Sequence, residues 1–191
     1  MIWGRISTFS TSFATQSFTN SIQRANQTCQ IILDENTNSP NINAENVVKE
    51  KLLKERNFGV LEGESYDIIP SIIEKNGEGF VPENGESGFS VQDRSRQFLK
   101  SILKFDDTCE KNGKLSILIV SHGGWIRRTL GILYDEMNCS LPPEINKPNF
   151  KGGFKEVKFE NTSFSKFDVS VGSDNTITMK CHELFNSAHL K

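Results

Sequence analysis

The chain has 191 residues, enough for one domain with a real core, and its formal net charge of −2 gives no reason to expect nucleic acid or an anionic membrane as a partner. Cys29, Cys109, Cys139 and Cys181 are scattered and form no CxxC pair, which argues against a disulfide framework or a zinc knuckle and for a reducing compartment. There is neither an apolar run long enough for a membrane span nor a secretory h-region, so a cytoplasmic location is expected.

From Met1 to Leu33 there is no acidic residue, and only Arg5 and Arg24 supply charge, fewer arginines than transit peptides carry. Residues 1–17 have no clean period and are expected to form an atypical, disordered N-terminus ahead of a single domain over 18–191. Ser21 is placed to cap a helix through Ile22, Ala25, Cys29, Ile32 and Leu33 that stops near the Asn/Ser/Pro stretch Asn36 to Asn41. Val47-Val48 reads as a short strand and Leu52 to Gly63 as a polar loop with glycine stops. Tyr66 to Glu74 suits a short helix interrupted by Pro70, and Gly77 to Gly88 is a Gly/Pro/Glu-rich loop. Val91, Phe98, Ile102 and Leu103 mark one helix face, with Ser90 as its cap. Leu115 to Val120, apolar and β-branched, reads as a buried strand, and Trp125, Ile126, Leu130 and Leu133 mark the helix that follows. Cys139 to Gly153, with three prolines, is irregular; Lys155 to Phe159, Ser163 to Val171 and Thr176 to Cys181 read as strands. Strands alternating with helices predict an α/β fold, a mostly parallel sheet flanked by helices.

Chemistry concentrates where the Leu115 strand gives way to its helix, at Ser121-His122-Gly123-Gly124. Ligands of open α/β sheets bind at the carboxyl ends of strands, and a helix N-terminus there attracts anions. Glycines beside His122 let the backbone approach a ligand. Three further pieces join it. In Phe18-Thr19-Asn20-Ser21-Ile22-Gln23-Arg24, the arginine lies in the first turn of a helix, where its charge gains nothing from the dipole unless an anion is held there. Leu53 to Gly63 holds Glu55 and Glu62, either of which could serve as a general acid. Asn161-Thr162-Ser163 heads a strand and either makes a turn or buttresses a site.

Taken together these pieces resemble the histidine phosphatase superfamily, the phosphoglycerate-mutase-like fold. Glu55-Arg56-Asn57-Phe58-Gly59-Val60-Leu61-Glu62-Gly63 is similar to the family's ER-x-(F/Y)-G-x-x-E-G element, and Val120-Ser121-His122-Gly123-Gly124 to its second-histidine element. Pro82-Glu83-Asn84-Gly85-Glu86-Ser87 resembles its P-G-G-E-S loop, and Asn161-Thr162-Ser163 its N-T-S strand. Asn138-Cys139-Ser140-Leu141-Pro142 and the tail Asn186 to Leu190 look like the TIGAR group of fructose-2,6-bisphosphatase-like phosphatases. The resemblance implies hydrolysis of a phosphate monoester through a phosphohistidine, on a small phosphorylated metabolite such as a sugar bisphosphate. It implies Glu55 as proton donor ahead of Glu62, Arg24 as phosphate clamp, His122 as the histidine that hydrogen-bonds phosphate oxygens, and Gly123 as a backbone N–H donor. No cofactor and no metal is implied.

The family opens with an apolar strand ending in Arg-His-Gly, whose histidine is the nucleophile. This chain has three histidines, His122, His182 and His189, and none precedes Arg24. Arg5-Ile6-Ser7 is no substitute, since serine without a neighbouring base is not activated. The missing strand is also the central one of the family's sheet. Each fully buried Val, Leu or Ile is worth about 1.5–3 kcal/mol, against a net domain stability of about 5–15 kcal/mol. The expectation is an incomplete or alternatively spliced chain that does not turn over substrate as written. The rivals are a non-catalytic pseudophosphatase or binding module and, less well supported, a phosphoglycerate mutase. His182 and His189 lie in a C-terminal strand and tail with no evident route to the site.

Overall fold

The computed structural model describes residues 2–3, 14–20, 22–35, 47–65, 68–103, 115–145, 160–171, 174 and 176–190. In chain order these form β1 (Ile2–Trp3), β2 (Ala14–Thr19), α1 (Gln23–Glu35), β3 (Val47–Lys49), α2 (Ile68–Asn76), α3 (Gly88–Leu103), β4 (Leu115–Val120), α4 (Gly123–Asp135), β5 (Phe164–Val171) and β6 (Ile177–Asn186). Short 3-10 turns lie at Lys51–Leu53, Gly59–Leu61 and Ala188–Leu190. The strands make one sheet in the order β3-β2-β4-β1-β5-β6. It is parallel across β3, β2 and β4, with an antiparallel β5–β6 pair at the far edge. None of the described helices is long and apolar enough to cross a membrane.

The β4 side chains alternate between the two faces of the sheet, as the two-residue period of a strand requires. Leu118 and Val120 pack with Ala25, Cys29 and Leu33 of α1 on one face. Ile119 packs with Phe18, Phe98, Trp125, Ile126 and Leu130 on the other, under α3 and α4. Burial on both faces explains why Ile117 to Val120 reads as an unbroken apolar run. On the α3/α4 side the Phe98 ring stands edge-on to Phe18 and to Trp125, with centroids 5.5 and 5.8 Å away. One row of residues in register, Lys49, Thr19, Val120, Ile2, Phe164 and Asn186, crosses the whole sheet at the carboxyl end of β4.

Several expectations need correction. Ile2–Trp3 and Ala14–Ser17 are strand, within a stretch expected to be disordered, because the sheet supplies backbone partners that local composition does not reveal. The sheet, expected to lack a central strand, carries β1 between β4 and β5, antiparallel to β4 and parallel to β5. Pro70 does not interrupt α2. It lies in the first turn, where backbone N–H groups have no intrahelical acceptor, so its missing donor costs nothing. The α3 cap is Ser87, whose hydroxyl accepts from the Ser90 N–H at 3.0 Å, rather than Ser90. Strand β6 runs five residues past Cys181, to Asn186. The Ser21 cap and the Lys155 to Phe159 strand lie outside the described residues.

Phe98→Ala should lower unfolding stability by about 3–5 kcal/mol, because the ring is fully buried between two aromatic neighbours. Phe89→Ser, at a side chain 55% exposed, should change it by no more than about 0.5 kcal/mol. Urea denaturation of both variants checks the contrast, and similar losses would contradict this assignment of the core.

Candidate active site

The site forms where β2 and β4 end. β2 leads into the fully buried Asn20, whose Oδ1 accepts from the Ile22 N–H at 2.7 Å and turns the chain toward α1. The first turn of α1 then carries Arg24, whose Nε donates to His122 Nδ1 at 3.1 Å. His122 occupies the N-cap position of α4 in an extended conformation, φ −111° and ψ 159°. Its side chain makes no capping bond, so the ring is available to Arg24. It is 6% exposed, and its Nε2 has no partner among the described residues. Burial pushes the imidazole pKa down to about 4; the Glu55 carboxylate opposes this shift, and the Arg24 and Arg94 cations add to it.

Glu55 answers the α4 dipole. Its Oε2 accepts from the Gly124 N–H at 3.0 Å and its Oε1 from the Trp125 N–H at 3.1 Å. The same Oε1 accepts from Arg56 N–H at 2.9 Å, which closes the carboxylate onto its own backbone. The Gly123 N–H lies outside this arrangement, one residue beyond His122. Gly124 is required for it, since a Cβ there would stand 2.5 Å from Glu55 Oε1. Glu62 is elsewhere: it is exposed, and its Oε1 accepts from the Phe58 N–H at 2.8 Å. Its part is to order the loop. Of the two candidate acids, only Glu55 is brought together with Arg24, His122 and the start of α4.

The loops at 55–62 and 80–87 are bound to one another. Val60 N–H donates to Glu83 O at 3.0 Å, Glu86 N–H to Asn57 O at 2.9 Å, and Asn57 N–H to Glu86 Oε1 at 2.9 Å. Gly59, at φ +54°, is pressed so close that a Cβ would meet the Glu83 carbonyl at 1.9 Å. The buried Arg56 ties the same loops through Glu86 O and Phe80 O, each at 3.0 Å. Burial, then the nearby Arg128 cation, lower its pKa from the usual arginine value, while Glu78, Glu86 and Glu55 counter the shift. Arg128 pairs with Glu78 at 2.8 Å.

Sequence reasoning missed Arg94, which pairs with Glu86 at 2.9 Å and donates from Nη1 to Leu52 O at 2.7 Å. A charged residue on an amphipathic helix reads as a solvated one, so no signal marked it. Of the other histidines, His182 pairs with Asp168 at 2.8 Å between β5 and β6. His189 follows β6 at the His122 end of the sheet, its ring 5.9 Å from that of Phe164. Ser163 is fully buried at the head of β5, behind Thr162 at φ +64°. Among the described residues no group of three or more His, Cys, Asp or Glu side chains could hold a metal ion.

A depressed histidine pKa makes stability depend on pH. Between pH 6.5 and about 4 the unfolded chain takes up a proton at His122 that the folded chain refuses. Stability present above pH 6.5 should therefore fall by about 3 kcal/mol as the pH drops to 4. His122→Gln should flatten that part of the profile in urea unfolding at stepped pH; an unchanged slope would show that another group titrates. Gly124→Ala should displace the Glu55 carboxylate and speed hydrogen exchange at the Trp125 amide.

Comparison with known proteins agrees with the fold and the motifs. The model of the histidine phosphatase superfamily (branch 1) matches residues 6–151. Fructose-2,6-bisphosphatase TIGAR B of Danio rerio is 29% identical over 155 residues, 67% of this chain and 59% of that protein. The phosphoglycerate mutase of Schizosaccharomyces pombe is 32% identical over 122 residues, 58% of this chain and 52% of that one. The chain thus spans little more than half the length of these two relatives. Among solved structures, Bacillus stearothermophilus YhfR superposes with a TM-score of 0.59 at 18% identity, covering 94% of this chain and 77% of that one. A mycobacterial glucosyl-3-phosphoglycerate phosphatase complexed with VO3 gives 0.60 at 18% identity, covering 90% and 77%. At such identity these two speak for the fold alone, whereas the family model spans most of the chain together with the residues gathered at the start of α4: the chain belongs to the histidine phosphatase superfamily.

Proposed function

We propose that this chain binds the phosphoryl group of a small phosphorylated metabolite at the start of α4, and that within these 191 residues it binds without turning over. The lineage reaction is hydrolysis of a phosphate monoester, and the sugar bisphosphates named for its TIGAR relatives are the substrate class that fits first. The observation that carries this reading is His122. A buried ring at a helix N-terminus, gripped by an arginine through Nδ1, keeps an unpartnered Nε2 for a ligand. Arg24 supplies positive charge, and Gly123 lies where a backbone N–H can reach the same anion.

The histidines support the absence of turnover. His182 is engaged with Asp168 and His189 packs on Phe164, and among the described residues neither bonds to Arg24, Glu55 or His122. Phosphohistidine chemistry needs a second imidazole in line with the phosphorus, opposite the leaving oxygen. Glu55, beside the same helix end, fits the proton donor to a leaving group once such a nucleophile is supplied. A mutase is disfavoured for the same reason, because it needs a durable phosphoenzyme.

The test is binding of inorganic phosphate and fructose 2,6-bisphosphate by titration calorimetry, beside phosphate release from p-nitrophenyl phosphate. Binding without release is expected. His122→Ala should weaken binding about tenfold, the loss of one charge-assisted hydrogen bond. Glu55→Gln should tighten it several-fold, because the carboxylate and the phosphate compete for one helix end, whereas Glu62→Gln should leave it unchanged. Robust release with acid-labile phosphate on the protein would overturn the reading, as would failure of both ligands to bind.

A further inference from the structure

We infer that Arg24 is a positioning residue for His122: its Nε–H, donated to Nδ1, holds the imidazole as the neutral Nε2–H tautomer. An arginine nitrogen donates and does not accept, so at 3.1 Å the ring nitrogen facing it must be the acceptor. A neutral imidazole has one donor and one acceptor, and the proton is thereby assigned to Nε2. A charged ring would set two donors against each other.

The surroundings favour the neutral form as well. The ring is 6% exposed, and among the described residues the charged groups that act on it are Glu55 from the loop before Arg56, Arg24 from α1 and Arg94 from α3. The arginine cations oppose the carboxylate, and burial, the largest cause, acts in the same direction as the cations. Nε2–H is then a neutral, buried donor with no partner among the described residues.

One consequence concerns chemistry. A nitrogen attacks phosphorus through a free lone pair. The Nδ1 lone pair of His122 is held by Arg24, and Nε2 carries the proton. The contact that makes His122 a donor to an anion therefore removes it as an acceptor of the phosphoryl group. Only this last step rests on the reading of the site as a phosphate site; the tautomer does not.

Histidine-labelled protein tests the assignment through two-bond 1H–15N correlations. His122 should show a protonated Nε2 and a bare Nδ1 from pH 8 to about 5. Arg24→Met should mix the tautomers and raise the titration midpoint by about one pH unit. Arg24→Lys, which keeps the charge without the planar Nε–H, should mix the tautomers while the midpoint stays low. Arg24 is exposed on α1, so both variants should fold, and circular dichroism checks that they do. A protonated Nδ1 in the unsubstituted protein would overturn the inference without any variant, and so would an unchanged tautomer in Arg24→Met. Inorganic phosphate forms a separate arm. If it leaves the Nε2–H signal unmoved while the tautomer is as stated, the phosphate reading fails and the positioning role stands.

Discussion

The Leu53 carbonyl accepts two side-chain hydrogen bonds, from Asn20 Nδ2 at 3.1 Å and from Ser121 Oγ at 2.7 Å. Asn20 follows β2 and Ser121 follows β4, so one oxygen ties together the ends of two parallel strands and the loop that crosses above them. All three residues are buried, where breaking either bond would leave a polar group unsatisfied at a cost of about 1–3 kcal/mol. Arg94 reinforces the point from α3, through the neighbouring Leu52 carbonyl. Glu55 lies two residues beyond Leu53, His122 one beyond Ser121, and Arg24 four beyond Asn20. Their meeting at the start of α4 is a consequence of that shared acceptor.

The carboxylates are sorted by what they face. Glu55 faces two backbone N–H groups at the positive end of a helix, and its partners vanish if α4 moves. Glu62 faces a single amide in its own loop and is otherwise in water. Glu86 and Glu78 face the half-buried guanidinium groups of Arg94 and Arg128 and tie their loops to α3 and α4. The buried Arg56 needs such company. Its guanidinium lies beneath the loops it fastens, and neighbouring carboxylates oppose the loss of its proton.

The sequence discloses local features well and shared ones poorly. β4 and α4 are legible because an apolar run and a helical period are written in consecutive residues, and the junction between them places His122. The motif from Glu55 to Gly63 is legible as a unit, yet its two glutamates can be told apart only by the helix that one of them meets. Arg94, Asn20 and Ser121 carry no signal, because their importance lies in a carbonyl oxygen more than thirty residues away. β1 and the first half of β2 are hidden for a related reason. A strand of two residues, or one that opens Ala-Thr-Gln-Ser, has no pattern of its own and is fixed by the partner that completes its hydrogen bonds.

The slot beside β4 shows how fold and chemistry part company. A neighbouring strand contributes chiefly backbone hydrogen bonds, whereas apolar burial comes from whatever covers the two faces of the sheet. Among the described residues β1 pairs with two of the six β4 residues, and β2 pairs with all six. Yet Leu118 and Val120 are covered by α1, and Ile119 by the residues under α3 and α4. The burial that holds β4 in place therefore does not pass through the slot, and the expectation of a ruinous loss of core attributes to a neighbouring strand what the helices supply. Chemistry has no such redundancy. A nucleophile is one atom in one position, and helices on either face cannot replace it, so a chain can keep the end of its sheet where Arg24, Glu55 and His122 meet while the attacking group is the part in question.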